Sequence, residues 1–240
     1  MADKQLLTKD ELKTQLEAIG VTPGMKLLVH VALSKVGRLE NGPDDLICAL
    51  EEAVSESGIV AMPAYNCYGD YKPNLSIVND AFKKQGDVIK TNQLIAAFAV
   101  WGRAKADIAA SVPYTEEGLS FENGEKSTLA RLYENDGWSL MIGTDYSTCT
   151  MLHLAENRAS WPGKFIYTEE VTLPDGSKCA YHDVAYQDED FNMIGKAFES
   201  RFWGDETVIR FGKLGNAECR LVNQRILVDY AVDWMQRNRK

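Results

Sequence analysis

The stretch TPGMKLLVHVALSKVG, residues 22–37, decides how the rest of the chain folds. Thr22-Pro23-Gly24 is a turn signal, and KLLVHVAL (26–33) after it is apolar at nearly every position. Continuous hydrophobicity is the pattern of a strand covered on both faces. Further on, Pro43 stands where a helix begins, and Leu46, Ile47, Leu50 and Val54 recur at helical spacing until Gly58. GIVAMP (58–63) is a second buried strand. Strand, helix and strand at this spacing predict a parallel βαβ unit.

Upstream, Thr8 and Glu11 fit a capping box, with Leu7 and Leu12 as its hydrophobic staple. Leu12, Leu16 and Ile19 form one helical face, which Gly20 ends. Downstream, residues 64–90 are aromatic, polar and turn-rich: a long loop with a short helix, just after a strand, where open α/β sheets bind ligands. LIAAFAVWG (94–102) predicts a strand, with a helix from Arg103. A helix over 126–134 precedes the strand WSLMIG (138–143). KFIYTEEVTL and KCAYHDVAY flank PDGS and predict an antiparallel hairpin. A helix over 190–201, a strand pair around 208–221 and an amphipathic helix over 223–236 follow. Residues 1–240 are therefore expected to form one α/β domain with a mixed sheet.

Composition narrows the function classes. Hydrophobic residues make up 45% and charged residues 25%, which is ordinary for a globular protein. The formal net charge of −9 argues against a nucleic-acid partner, which needs local Lys/Arg excess. No apolar run approaches the roughly 20 residues of a membrane helix. The charged N-terminus reads as a helix start rather than a signal peptide, so a cytoplasmic location is expected. Five irregularly spaced cysteines suggest a reduced protein with neither zinc motif nor disulfide framework.

One segment carries chemistry. TCTMLHLAENR (148–158) places His153 three residues before Glu156 in an apolar helical run. Residues three apart share a helix face. The carboxylate can hold one imidazole nitrogen and leave the other free to take a proton. Near the helix N-terminus the dipole disfavours the imidazolium and keeps the ring basic. The same spacing also occurs as an ordinary structural pair. A metal reading has little support, because the Glu-x-x-His order of di-iron bundles is reversed and occurs once. His30 reads as a hydrogen-bonded core or rim histidine, and His182 as a half-exposed strand residue. No GxSxG elbow, GxxxxGK[ST] loop or GxGxxG loop is present. A lone His/Glu dyad suits a general base without covalent catalysis, such as direct attack of an amine or hydroxyl on an activated acyl donor.

Taken in order, LLVHVALSKVGRLENGPDDLICAL (27–50), GIVAMP (58–63), FAVWG (98–102) and STLARLYENDG (127–137) form a series. TCTMLHLAE (148–156), DFNMIGKAF (190–198), GKLGNAECRL (212–221) and LVDYAVDWM (227–235) complete it. The series resembles the aminoglycoside 3-N-acetyltransferase family over nearly the whole chain. Its strongest elements are T-x-x-H-x-x-E (Thr150, His153, Glu156) and VH-x-x-LS-x-x-G (Val29 to Gly37).

The resemblance implies a three-layer α/β/α sandwich with a central mixed sheet and an antiparallel hairpin in the C-terminal half. It implies acetyl-CoA as donor, no metal, and acetyl transfer to an amine of an aminoglycoside at the 3-N position. An amino sugar of a surface polysaccharide or natural product is the alternative acceptor. Carried over by position, His153 is the general base and Glu156 orients it. His30, Val31, Leu33, Ser34, Lys35, Val36 and Ser127 would hold the donor. Tyr65, Asn66, Tyr68, Asp70, Asp188, Glu189 and Asp190 would meet the acceptor, the carboxylates pairing with ammonium groups. The chain could work alone or as a homodimer. It departs from the family at Val31 and Ala32 (usually serines), at Ala64 (usually threonine) and at NQLIAA (92–97), where HP and a serine are usual.

Overall fold

The computed structural model describes residues 6–67, 73–109, 118–173 and 175–240. In chain order it begins with α1 (Lys9–Ile19), β1 (Lys26–Val31), α2 (Leu33–Val36), α3 (Pro43–Val54), β2 (Ile59–Pro63) and α4 (Ile77–Phe82). Then come β3 (Ile89–Lys90), β4 (Phe98–Trp101), α5 (Lys105–Ile108), β5 (Leu119–Ser120), α6 (Thr128–Glu134) and β6 (Trp138–Ile142). The remainder is α7 (Met151–Arg158), β7 (Ile166–Thr172), β8 (Lys178–Val184), α8 (Phe191–Arg201), β9 (Ile209–Leu214), β10 (Ala217–Asn223) and α9 (Gln224–Asn238).

The strand at the start of the sequence reading is the middle of the molecule. β1 runs parallel to β2 on one side and to β6 on the other. Antiparallel strands extend this centre into a seven-stranded sheet, ordered β3-β4-β2-β1-β6-β10-β9. The expected mixed sheet is thus a parallel core with antiparallel wings. Along β1, Leu28 packs into one hydrophobic cluster while Leu27, Val29 and Val31 pack into the other. Both faces are covered, which explains why apolar residues run without alternation.

One outer layer comes from α1, α3 and α4, through Leu12, Leu16, Leu46, Leu50 and Val78. The opposite layer comes from α6, α7, α8 and α9, through Leu129, Leu152, Ile194 and Leu227. The capping box of α1 is present: Thr8 accepts the Glu11 backbone N–H at 3.3 Å and Glu11 accepts that of Thr8 at 2.9 Å. Among the described residues no helix is long and apolar enough to cross a membrane.

Two elements differ from the sequence reading. The strand expected from Leu94 starts only at Phe98. The N–H groups of Leu94, Ile95 and Ala96 point at the buried carboxylate of Glu122 instead of a neighbouring strand. The hairpin forms, but β7 and β8 join β5 in a separate three-stranded sheet. Its turn lies partly outside the described residues.

From β1 the chain crosses through α3 to β2 on one side, whereas β6 lies on the other side. The carboxyl end of β1 is therefore a topological switch point, where the flanking connections part and leave a crevice. α8 borders it through Phe191, and further along that helix a Cβ on Gly195 would come within 2.0 Å of the buried Tyr146 ring. A ring held on all sides cannot retreat cheaply. Gly195→Ala is expected to destabilise the protein by about 1–3 kcal/mol and to lower Tm by on the order of 5 °C. An unchanged melting curve by circular dichroism would show that the contact is not tight.

Candidate active site

At the crevice the first polar residue of β1 turns out to be a strut. His30 is buried, and its Nε2 lies 2.8 Å from Thr150 Oγ1 and accepts the Thr150 N–H at 3.3 Å. An N–H aimed at Nε2 requires a lone pair there, so the neutral ring carries its proton on Nδ1. Nδ1 is buried and without a partner. Burial, reinforced by the nearby His153, pushes the His30 pKa down to about 4. Thr150 sits at the cap of α7 but its hydroxyl makes no cap bond there; it serves His30 instead. This contact joins segments 120 residues apart and sets where α7 begins.

α7 then presents the dyad. His153 Nδ1 and Glu156 Oε2 are 2.8 Å apart, with the imidazole 18% exposed and the carboxylate fully buried. The second oxygen, Oε1, accepts the Gln187 N–H and the Arg239 Nη1–H, both at 2.8 Å. Burial works against this charge, but the hydrogen bond and charge of His153, the Gln187 N–H and Arg239 together outweigh it. The Glu156 pKa therefore lies below the ordinary carboxylate value. An ionised carboxylate is an acceptor only, so Nδ1 donates to it. Nε2 is left as the basic nitrogen.

Aromatic rings fix the imidazole plane. Tyr186 and Phe191 flank it at centroid distances of 4.5 and 5.0 Å. Tyr186 is held in turn: its hydroxyl donates to the buried Asp183 at 2.8 Å and accepts from Asn157 at 3.1 Å. The His153 ring faces an open cleft of about 290 Å³ at the switch point. His30 and Val31 from the end of β1, Tyr65 beyond β2, Thr150, Asp188 and Phe191 help to line it.

The other expected site residues fall in distinct places. Ser34 and Lys35 are exposed in α2, directly after the cleft-lining end of β1, and Leu33 is half-buried. The Val36 side chain is fully buried in the core, so only its backbone could meet a ligand. Ser127 is buried as the cap of α6, its hydroxyl accepting the Ala130 N–H. Asn66 uses its side chain to hold the carbonyls of Gln93 and Leu94 and to accept from Lys90. Tyr68 and Asp70 lie outside the described residues. Of the acidic turn 188–190, Asp188 reaches the cleft, Glu189 is exposed elsewhere, and Asp190 is bound to Arg239 at 2.6 Å. Among the described residues no three His, Cys, Asp or Glu side chains gather as metal ligands would.

Arg239 and Gln187 escaped the sequence reading. Glu156 and Arg239 are 83 residues apart, beyond any spacing rule, and Gln187 contributes a backbone N–H that no side-chain pattern reveals. Lys/Arg enrichment near a helix end is common enough that Arg239 carried no signal of its own.

Residues 28–236 match the model of a family described as aminoglycoside 3-N-acetyltransferase. A Salmonella protein named aminoglycoside N(3)-acetyltransferase IV is 30% identical, covering 96% of this chain and 88% of its own. The SPbeta prophage-derived aminoglycoside N(3')-acetyltransferase-like protein YokD of Bacillus subtilis is 29% identical, over 96% of this chain and 93% of its own. Among solved structures, AAC-IIIb in binary complex with CoASH superposes with a TM-score of 0.84 at 26% identity, covering 96% of this chain and 97% of that one.

The His30 strut has a pH signature. The unfolded chain takes up the proton near pH 6.5 and the folded protein only near pH 4. Its stabilising contribution is complete above pH 6.5 and is lost as pH falls through that window, by about 3 kcal/mol in all. Urea unfolding of His30→Gln, whose amide does not titrate, should fall less steeply than wild type between those pH values. Parallel curves would mean that His30 is not held neutral.

Proposed function

The chain belongs to the aminoglycoside 3-N-acetyltransferase family, and from that premise we propose that it transfers the acetyl group of acetyl-CoA directly to the 3-amine of an aminoglycoside, with His153 as general base. One observation carries the mechanism: a buried, ionised Glu156 holds His153 Nδ1 at 2.8 Å and leaves Nε2 at a cleft on the sheet's switch point.

An aminoglycoside amine arrives largely protonated and first releases one proton to solvent, which frees the lone pair for attack and leaves a second proton to be removed. His153 Nε2 accepts that second proton as the amine nitrogen bonds to the thioester carbonyl carbon. Glu156 stabilises the imidazolium that forms, a positive charge arising beside a fixed negative one. As the tetrahedral species collapses, the carbon–sulfur bond breaks and the thiolate takes the proton from the imidazolium. CoA leaves as the thiol and the ring returns neutral.

The donor side fits the turn after β1. Val31 lines the cleft, and Lys35 stands exposed four residues on, a cation suited to the diphosphate of CoA. On the acceptor side Asp188 supplies a carboxylate for an ammonium group, and Tyr65 and Phe191 supply walls for a sugar ring. The chemistry is that of an antibiotic-modifying enzyme, and the described residues work in it as one unit.

Free-thiol release from acetyl-CoA in the presence of a kanamycin-type aminoglycoside tests the reading. His153→Ala should keep CoA binding by calorimetry near wild type while kcat falls roughly 10²–10⁴-fold. Equal turnover in both proteins rules the base out. Asp188→Asn should raise the acceptor KM by about tenfold or more and leave the acetyl-CoA KM alone. A change confined to the acetyl-CoA KM would place Asp188 on the donor side.

A further inference from the structure

The side chain of Arg239, just past α9, is 4% exposed and makes four hydrogen bonds. Nη1 donates to Glu156 Oε1 at 2.8 Å, Nη2 to the Gln187 carbonyl at 2.6 Å, and Nε and Nη2 grip both oxygens of Asp190 at 2.8 and 2.6 Å. Its guanidinium lies over Trp161, 4.7 Å from the ring centroid. One cation thus holds the carboxylate that orients the base and both ends of the turn that carries Asp188 into the cleft. Gln187 closes the loop by giving its N–H back to Glu156.

Resting on the acetyl-transfer reading above, we propose that Arg239 is a positioning residue that couples amine recognition to the general base, by fixing the 187–190 turn against Glu156. Without the guanidinium, the fully buried Glu156 and the Asp190 carboxylate, 22% exposed, lose their shared cation. Like charges in a poorly hydrated space repel, and the turn moves away and takes Asp188 with it. Other charged or ionisable groups at hand do not replace it. Lys164 is attracted by Glu156, but its Nζ is spent on the carbonyls of Asn157 and Ala159. His30 is held neutral by burial, and His153 is the base itself. Geometry matters as much as charge, since a planar fork reaches two carboxylates and a carbonyl at once while an ammonium is a point.

A merely structural arginine would affect donor and acceptor alike. A coupling residue separates them. Arg239→Met should lower kcat and raise the aminoglycoside KM, together reducing kcat/KM roughly 10²-fold, while the acetyl-CoA KM and calorimetric CoA affinity stay within about twofold. Arg239→Lys should recover part of the loss. Asp190→Asn, which leaves the Glu156 contact in place, should act mainly on the aminoglycoside KM, and it carries the kinetic test if Arg239→Met does not fold. Amide hydrogen exchange at 187–191 should quicken in the variants relative to the strands of the central sheet. The proposal is overturned by wild-type acceptor kinetics with unchanged exchange at 187–191, or by an equal weakening of CoA and acceptor binding. If wild type acetylates no amine, the preceding reading fails and so does the catalytic half of this one. Exchange then still decides whether Arg239 holds the turn.

Discussion

A carboxylate sealed from water dictates the architecture around it. Stranded alone in the interior, Glu156 would take up a proton and lose its charge. It remains charged because three donors converge on two oxygens: an imidazole from its own helix, a backbone N–H from the turn before α8, and a guanidinium from beyond α9. Each donor arrives on a different element. The relative placement of α7, α8 and α9 is therefore constrained by a single charge as well as by the apolar cluster those helices share.

The opposite side of the cleft is braced differently. There a neutral imidazole, His30, serves as an acceptor and fastens the central strand to the start of α7. The two histidines at the cleft are alike in chemistry and opposed in circumstance. One lies against a buried carboxylate, and the other is itself buried and is held neutral chiefly by that burial.

What could be read from sequence was whatever local spacing encodes. The doubly covered strand β1, the helix opened by Pro43 and the His153/Glu156 face were legible, because continuous burial, a missing N–H and a shared helical face each leave a mark within a few residues. The β7–β8 hairpin was legible as a hairpin, but not its separation from the central sheet, which depends on pairing with the distant Leu119 and Ser120. Strand propensity misread residues 94–97 because a far-off Glu122 takes the N–H groups that a ladder would have used. Asp188 and Asp190 look interchangeable in the string DED, and only the third dimension gives one to the cleft and the other to Arg239.

The grip of Glu122 on residues 94–96 has a wider meaning. It reads amide hydrogens, which every amino acid but proline supplies, and is blind to the side chains those residues carry. A stretch fastened in this way can exchange its chemistry without forfeiting its shape. Residues 94–96 of NQLIAA form such a stretch, with their backbone pinned from below. Substitution there edits ornament while the frame stands.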